Sequence, residues 1–156
     1  NLQIYRLVDG KLVSSHRLES FPMDVCLISK TEVAVCLDNS TIVILSFKSI
    51  DDVKLVNTFK LKTVFDVCLS VAKWNSNKLI VSGRKRDAML YWCVVNLTDG
   101  RVHSTHNVCK GGWSHVAIKN DTVYISCQTY DYTDNGVYAF DILNPHTPKF
   151  VYRHDG

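Results

Sequence analysis

The sequence predicts an all-β chain folded as a partial β-propeller, an open arc of about three and a half four-stranded antiparallel blades. Short runs rich in Val, Ile, Leu, Tyr and Phe recur between turn-forming clusters, and helical periodicity is scarce. The runs come in groups of four that repeat every 40 to 50 residues or so, the size of a propeller blade. The tetrapeptide Asp-Val-Cys-Leu, at residues 24–27 and again at 66–69, marks the repeat.

The chain begins with a predicted antiparallel pair. Apolar runs at residues 2–8 and 11–18 flank Asp9-Gly10, where Gly accepts the positive φ that a two-residue hairpin turn requires. We interpret residues 1–18 as the last two strands of one blade.

The first complete blade is predicted at residues 21–60. Its apolar runs are separated by polar segments at residues 29–30, 38–40 and 48–52, which are rich in Ser, Asp, Asn and Lys. The four predicted strands cover residues 23–28, 32–37, 41–47 and 53–60.

Two further blades are predicted at residues 63–108 and 112–154. The strands of the second cover residues 64–71, 78–83, 88–96 and 101–108, and those of the third cover 114–119, 122–127, 136–142 and 149–153. In this alignment Asp24, Asp66 and His115 take equivalent places in the first strands. The small residues Cys36, Ser82 and Ser126 end the second strands.

A sandwich or barrel is the alternative all-β fold, but neither explains the self-similarity. Known propeller rings need about four to eight blades, so residues 1–156 are expected to form one propeller fragment and not a closed ring. We expect the remaining blades to come from chain outside this sequence or from self-association.

Composition excludes few classes of function. The chain is 46% hydrophobic, enough to bury a core, and its net charge of +3 is too small to indicate nucleic acid or membrane. No apolar stretch approaches the ~20 residues that span a bilayer, so no membrane partner is expected. The six cysteines lie singly among apolar residues and are predicted to be reduced and structural, which favours a cytoplasmic protein.

Candidate catalytic and metal-binding groups are sparse. His103 and His106 are three residues apart on a predicted strand, so their side chains point to opposite faces and are poorly placed to share a metal. Asp131 and Asp134 lack the spacing of a calcium loop. We therefore expect no enzyme activity, no metal and no cofactor.

The segment FPMDVCLISKTEVAVCLDNSTIVILSF, residues 21–47, resembles the alternation of strands and turns in NHL-type repeats. LTDGRV, HVAIKNDTVYISC and NGVYAFDILNPHTPKFVYRHD are similar to the C-terminal propellers of invertebrate tripartite-motif proteins. The Gly-His and Trp-Asp pairs of WD repeats are missing, which favours the NHL type. The resemblance implies a non-catalytic protein-interaction platform in a larger protein, whose ubiquitin-ligase RING module would lie outside this chain. Single-stranded RNA binding, known for some NHL-type propellers, is the alternative it implies.

A partner surface is predicted from the geometry of a meander, in which successive turns alternate between the two ends of the sheet. Turns at residues 38–40, 84–87 and 128–135 should therefore share one face with the blade connections near Phe21 and Trp113. Turns at residues 29–31, 74–77 and 120–121 should share the other face. The first face carries the predicted partner residues Arg84, Lys85, Arg86, Trp113, Tyr130 and Tyr132.

Overall fold

The computed structural model describes residues 1–5, 9, 11–49, 52–130, 135–146 and 148–153. Within these ranges the regular elements are strands, as predicted, and no helix has the length and hydropathy needed to cross a membrane. The strands are β1 (Leu2–Tyr5), β2 (Leu12–His16), β3 (Pro22–Ser29), β4 (Glu32–Leu37), β5 (Thr41–Ser49), β6 (Asp52–Lys60), β7 (Val67–Lys73), β8 (Lys78–Arg84), β9 (Met89–Asn96), β10 (Val102–Lys110), β11 (Trp113–Lys119), β12 (Thr122–Gln128), β13 (Gly136–Asp141) and β14 (Lys149–Arg153).

The strands form one two-stranded and three four-stranded antiparallel sheets, each in sequence order. β1 and β2 make the pair, and the first, second and third blades are β3–β6, β7–β10 and β11–β14. β3 lies beside β7 and β7 beside β11, so the first strand of each blade is the innermost one. The blades form an open arc, which confirms the predicted fold class.

Apolar side chains bury the blades against one another. The cluster between the first and second blades includes Ala34, Ile42, Ile44, Phe65, Leu79 and Val81, and the cluster between the second and third includes Ile80, Trp92, Val94, Val123, Ile125 and Phe140. Leu2 and Leu18 cover the opposite side of the first blade. Each buried Val, Leu, Ile or Phe among them contributes about 1.5–3 kcal/mol to folding.

The second blade begins three residues later than predicted. β7 starts at Val67, whereas Val64 and Phe65 are buried in the connection before it, and the Asp66 amide donates to the Arg84 carbonyl at 2.9 Å. Phe65 lies against Gly83, where an added Cβ would meet the ring at 2.5 Å. Phe65 is apolar because it packs against this glycine. In the sequence, an apolar residue directly before a strand looks like the start of that strand.

The strand register corrects one predicted equivalence. Cα pairing sets Asp24 opposite Cys36, Ser70 opposite Ser82 and His115 opposite Ser126. The predicted column of small residues, Cys36, Ser82 and Ser126, is therefore confirmed. Asp66 is not part of the matching column, and Ser70 takes the place that was predicted for it.

Hydrogen bonds at this column join neighbouring blades, and we call them inter-blade rungs. The Ser70 hydroxyl and the Val71 amide donate to Asp24 Oδ2 at 2.5 and 3.0 Å. The Val116 amide donates to Ser70 Oγ at 3.1 Å. Each rung thus joins an oxygen of one blade to the innermost backbone of the next.

Two of the six cysteines are not reduced, so that prediction is wrong for them. Cys109 in β10 and Cys127 in β12 are disulfide-bonded with their Cα atoms 7.2 Å apart, which links the second blade to the third. Blade packing brings the two strands together, a contact that spacing along the chain does not reveal. Cys26, Cys36, Cys68 and Cys93 are free.

Candidate interaction surface

The turns between the second and third strands of the blades lie together on one face, which we call the upper face. It comprises residues 38–40, 85–88 and 128–130 with the connections at 20–21, 61–66 and 111–112. The Asp38 amide donates to the Phe21 carbonyl at 3.0 Å, and the Gly112 amide donates to the Gln128 carbonyl at 2.9 Å. These bonds hold turn and connection side by side, as the alternation of turns predicts.

The opposite, lower face carries the turns between first and second strands. Trp74 Nε1 donates to Asp121 Oδ1 at 3.0 Å, which joins the second and third blades there. The Leu97 amide donates to the Asn77 carbonyl at 2.8 Å. These contacts confirm the predicted faces of the turns at 38–40, 74–77 and 120–121 and of residues 128–130.

Arg84 bridges two blades on the upper face. Its guanidinium donates to the Tyr130 hydroxyl and, at 3.4 Å, to the Gly112 carbonyl, and it lies 5.8 Å from the centroid of the Tyr130 ring. The ring rests on Gly112, where an added Cβ would approach it to 2.9 Å. Both partners of Arg84 are neutral, and the described residues give its guanidinium no ion pair with a carboxylate.

Lys85 and Arg86 have separate partners. Lys85 Nζ lies 4.6 Å from the Tyr91 ring centroid, a cation–π contact. Arg86 Nε lies 3.5 Å from Asp66 Oδ1, and the Arg86 amide donates to Asp66 Oδ2 at 2.7 Å. The basic cluster is therefore partly neutralised by Asp66, from the preceding connection.

Asp87, directly after this cluster, forms no ion pair with it among the described residues. Its Oδ1 accepts a hydrogen bond from the Met89 amide at 3.0 Å, a local contact that shapes the turn. An aspartate carboxylate that accepts from the backbone amide two residues later forms this turn by itself. The cations before it are not needed.

The aromatic members of the predicted surface are exposed. Tyr130 is 60% exposed, and Trp113, which begins β11 one residue before the predicted start of that strand, is 52% exposed. Trp113 lines a shallow cleft of about 270 Å³ with His115 and Ser126, so it lies where the upper face meets the end of the arc. Tyr132, Asp131 and Asp134 lie outside the described residues.

A larger cavity, of about 410 Å³, opens on the upper face between the first and second blades, and we call it the junction cavity. It is lined by Asn39, Ser40, Lys62, Phe65, Asp66 and Arg86. Asn39 Oδ1 and Ser40 Oγ are buried without a hydrogen-bond partner. The sequence analysis missed this cavity because it depends on the connection at 61–66 packing beside the turn at 38–40.

Histidines do not build a metal centre in the part of the chain that the structure describes, where no group of three or more possible ligands occurs. His103 is exposed, whereas His106 packs on Trp92 with ring centroids 4.6 Å apart. Burial first, and then the nearby His146, lower the pKa of His106. Its surroundings are those of a packed side chain.

Comparison with solved structures bears on the fold. The computationally designed Ika4 protein aligns over 92% of this chain and 78% of its own, with 14% identity and a TM-score of 0.56. The Dos1 propeller aligns over 99% of this chain, with 14% identity and a TM-score of 0.53. The chain has the β-propeller fold.

This β-propeller chain spans 38% of the Dos1 propeller. The WD40 β-propeller domain of Doa1 aligns over 87% of this chain and 58% of its own, with 14% identity and a TM-score of 0.47. No protein-family model and no curated protein matches the sequence.

Proposed function

We propose that this chain is a non-catalytic protein-interaction platform, the propeller part of a larger protein of the NHL and tripartite-motif kind. Its partner surface lies on the upper face and comprises Arg84, Lys85, Arg86, Trp113 and Tyr130. The observation that carries the proposal is Arg84, whose uncompensated charge is held across two blades by Tyr130 and Gly112.

Arginine, tyrosine and tryptophan are the side chains that most often dominate binding energy at interfaces. Here Trp113 and Tyr130 are exposed and Arg84 is partly exposed, yet the backbone beneath them belongs to packed blades. A side chain already fixed by its contacts loses less conformational entropy on binding, which favours a preformed partner surface. Loops on a rigid scaffold are also the usual place for recognition.

Single-stranded RNA is the second candidate. Two cation–aromatic pairs on this surface, Arg84 with Tyr130 and Lys85 with Tyr91, favour it, since such proteins combine cations with stacking aromatics. Asp66 pairs with Arg86, which weakens the attraction of a polyanion to this surface. A protein partner is therefore the better match.

The test is comparative affinity capture with quantitative mass spectrometry. Proteins captured by the wild-type chain should be lost with Arg84→Glu and with Tyr130→Ala, each truncation weakening binding by roughly tenfold or more. The matched control is Lys119→Glu, a charge reversal at an exposed lysine near the lower face. Capture that ignores Arg84, or tight binding of an oligouridylate that requires it, would overturn the proposal.

A further inference from the structure

The junction cavity has an unusual floor. Ser40 is 0% exposed and has a φ of 62°, and its Oγ has no hydrogen-bond partner. Asn39 Oδ1 beside it is buried and also lacks a partner. Buried polar atoms are nearly always paired, and leaving one unpaired costs about 1–3 kcal/mol. Neither oxygen reaches the cavity surface in this structure, so a ligand supplies the missing partners once the Asn39 and Ser40 side chains turn toward it.

The wall of the cavity is charged. Lys62 and Arg86 line it together with Asp66, so the lining carries one net positive charge. Arg86 is 93% exposed along its side chain and is therefore free to move toward a ligand, and among the described residues Lys62 has no ion pair. The wall therefore favours an anionic group, and it shares Arg86 with the partner surface.

The two requirements together specify the ligand. Asn39 Oδ1 accepts a hydrogen bond and so needs an N–H or O–H donor, whereas Lys62 and Arg86 need an anion. A single acidic residue in a peptide offers both, because its backbone N–H donates while its carboxylate accepts. The Ser40 hydroxyl can donate to a carbonyl or carboxylate oxygen of the same residue.

We propose that the junction cavity binds an acidic residue of a partner peptide, with its carboxylate between Lys62 and Arg86 and its backbone N–H on Asn39 Oδ1. The proposal rests on the proposed function and adds the partner's chemistry to it. An acidic residue bound here would contact Arg86, which the cavity shares with the partner surface.

The probe is a short fluorescein-labelled peptide of alternating Glu and Ser, compared with its Gln and Ser analogue by fluorescence polarisation. The wild-type chain should bind the acidic peptide at least tenfold more tightly than the neutral one, and added salt should reduce the difference. Lys62→Glu should abolish the preference. Lys30→Glu, in the exposed turn of the lower face, is the charge-matched control and should leave it unchanged.

A second variant tests the floor of the junction cavity. Ser40→Gly removes the hydroxyl at a positive φ that glycine adopts readily, so the fold should persist. Binding of the acidic peptide should fall about fivefold, the usual effect of losing one hydrogen bond worth about 1 kcal/mol. Thermal unfolding of the same variant separates loss of binding from loss of structure.

The outcomes separate the two proposals. If capture of a protein partner depends on Arg84 but the peptide preference ignores Lys62 and Ser40, the cavity proposal fails and the platform stands. If no captured protein depends on Arg84, the platform fails even where Lys62 binds the peptide. If an oligouridylate displaces the acidic peptide and binds more tightly through Lys62, the ligand is RNA and the peptide assignment is wrong.

Discussion

The two copies of Asp-Val-Cys-Leu have identical sequences and opposite surroundings. In the first copy Leu27 is 65% exposed and Cys26 is partly buried, whereas in the second Leu69 is 3% exposed and Cys68 is fully buried. Asp24 lies within β3, but Asp66 lies before β7. Asp24 is equivalent to Ser70 in the strand register, so the second copy lies four residues earlier in its blade than the first.

The neighbours of each copy explain the offset. Phe65 anchors the connection before β7 against Gly83, and the Arg86 turn binds Asp66, so the second copy is held at the upper face. The first copy follows Pro22, and its aspartate reaches the innermost backbone of the next blade. A tetrapeptide therefore does not set its own register, because side-chain alternation follows from the contacts at the ends of the strand.

The largest difference should appear when the two leucines are truncated. Leu69→Ala removes a buried side chain packed with Leu90 and Cys127, and we expect a loss of about 2–5 kcal/mol in the free energy of unfolding. Leu27→Ala should change it by less than about 0.5 kcal/mol. Urea denaturation followed by tryptophan fluorescence measures both, and equal losses would show that the copies share one register.

A smaller difference should separate the two aspartates. Asp24→Ala removes the acceptor of the Ser70 hydroxyl and the Val71 amide, for an expected loss of about 2–3 kcal/mol. Asp66→Ala removes an exposed contact with Arg86 and should cost at most about 1 kcal/mol. Thermal unfolding of both variants checks the order, and a larger loss at Asp66 would contradict the assignment of the rungs.

The smallest effect concerns the two thiols. Burial first, and then the charge of Asp24, raise the pKa of Cys26 to about 11, and burial raises the pKa of Cys68 beyond its ordinary range. Only the thiolate reacts with iodoacetamide, so labelling of Cys26 should be slow and rise about tenfold per pH unit below its pKa. Cys68 should react only after unfolding. Peptide mapping by mass spectrometry follows both, and equal labelling of the folded chain would refute the difference.

Most of the fold was predictable because alternation and turn residues are local signals. The boundaries of β4 match the predicted ones, and β12 and β13 differ from theirs by a single residue. That the turns of Arg84 and Tyr130 share one face followed from the alternation of turns between two faces. These predictions needed only the order of strands and the length of their turns.

Other features depend on contacts between segments that are distant in the sequence. The Cys109–Cys127 disulfide, the partner of Arg86 and the junction cavity each arise where one blade packs on the next. Nothing in the residues around Ser40 shows that the connection at 61–66 will lie beside it. The tetrapeptide itself misled the alignment, because Asp66 resembles Asp24 only in sequence.

The inter-blade rungs give the row of blades a direction. Asp24 and Ser70 each present an oxygen to the following blade. A backbone N–H of that blade donates a hydrogen bond to the oxygen. His115 occupies the same place at the end of the row, where imidazole nitrogen replaces the oxygen. Two copies meeting through these ends would continue the row only head to tail, a heterologous contact and not a two-fold one. The polarity of any larger assembly is thus set by which side of a blade carries its acceptor.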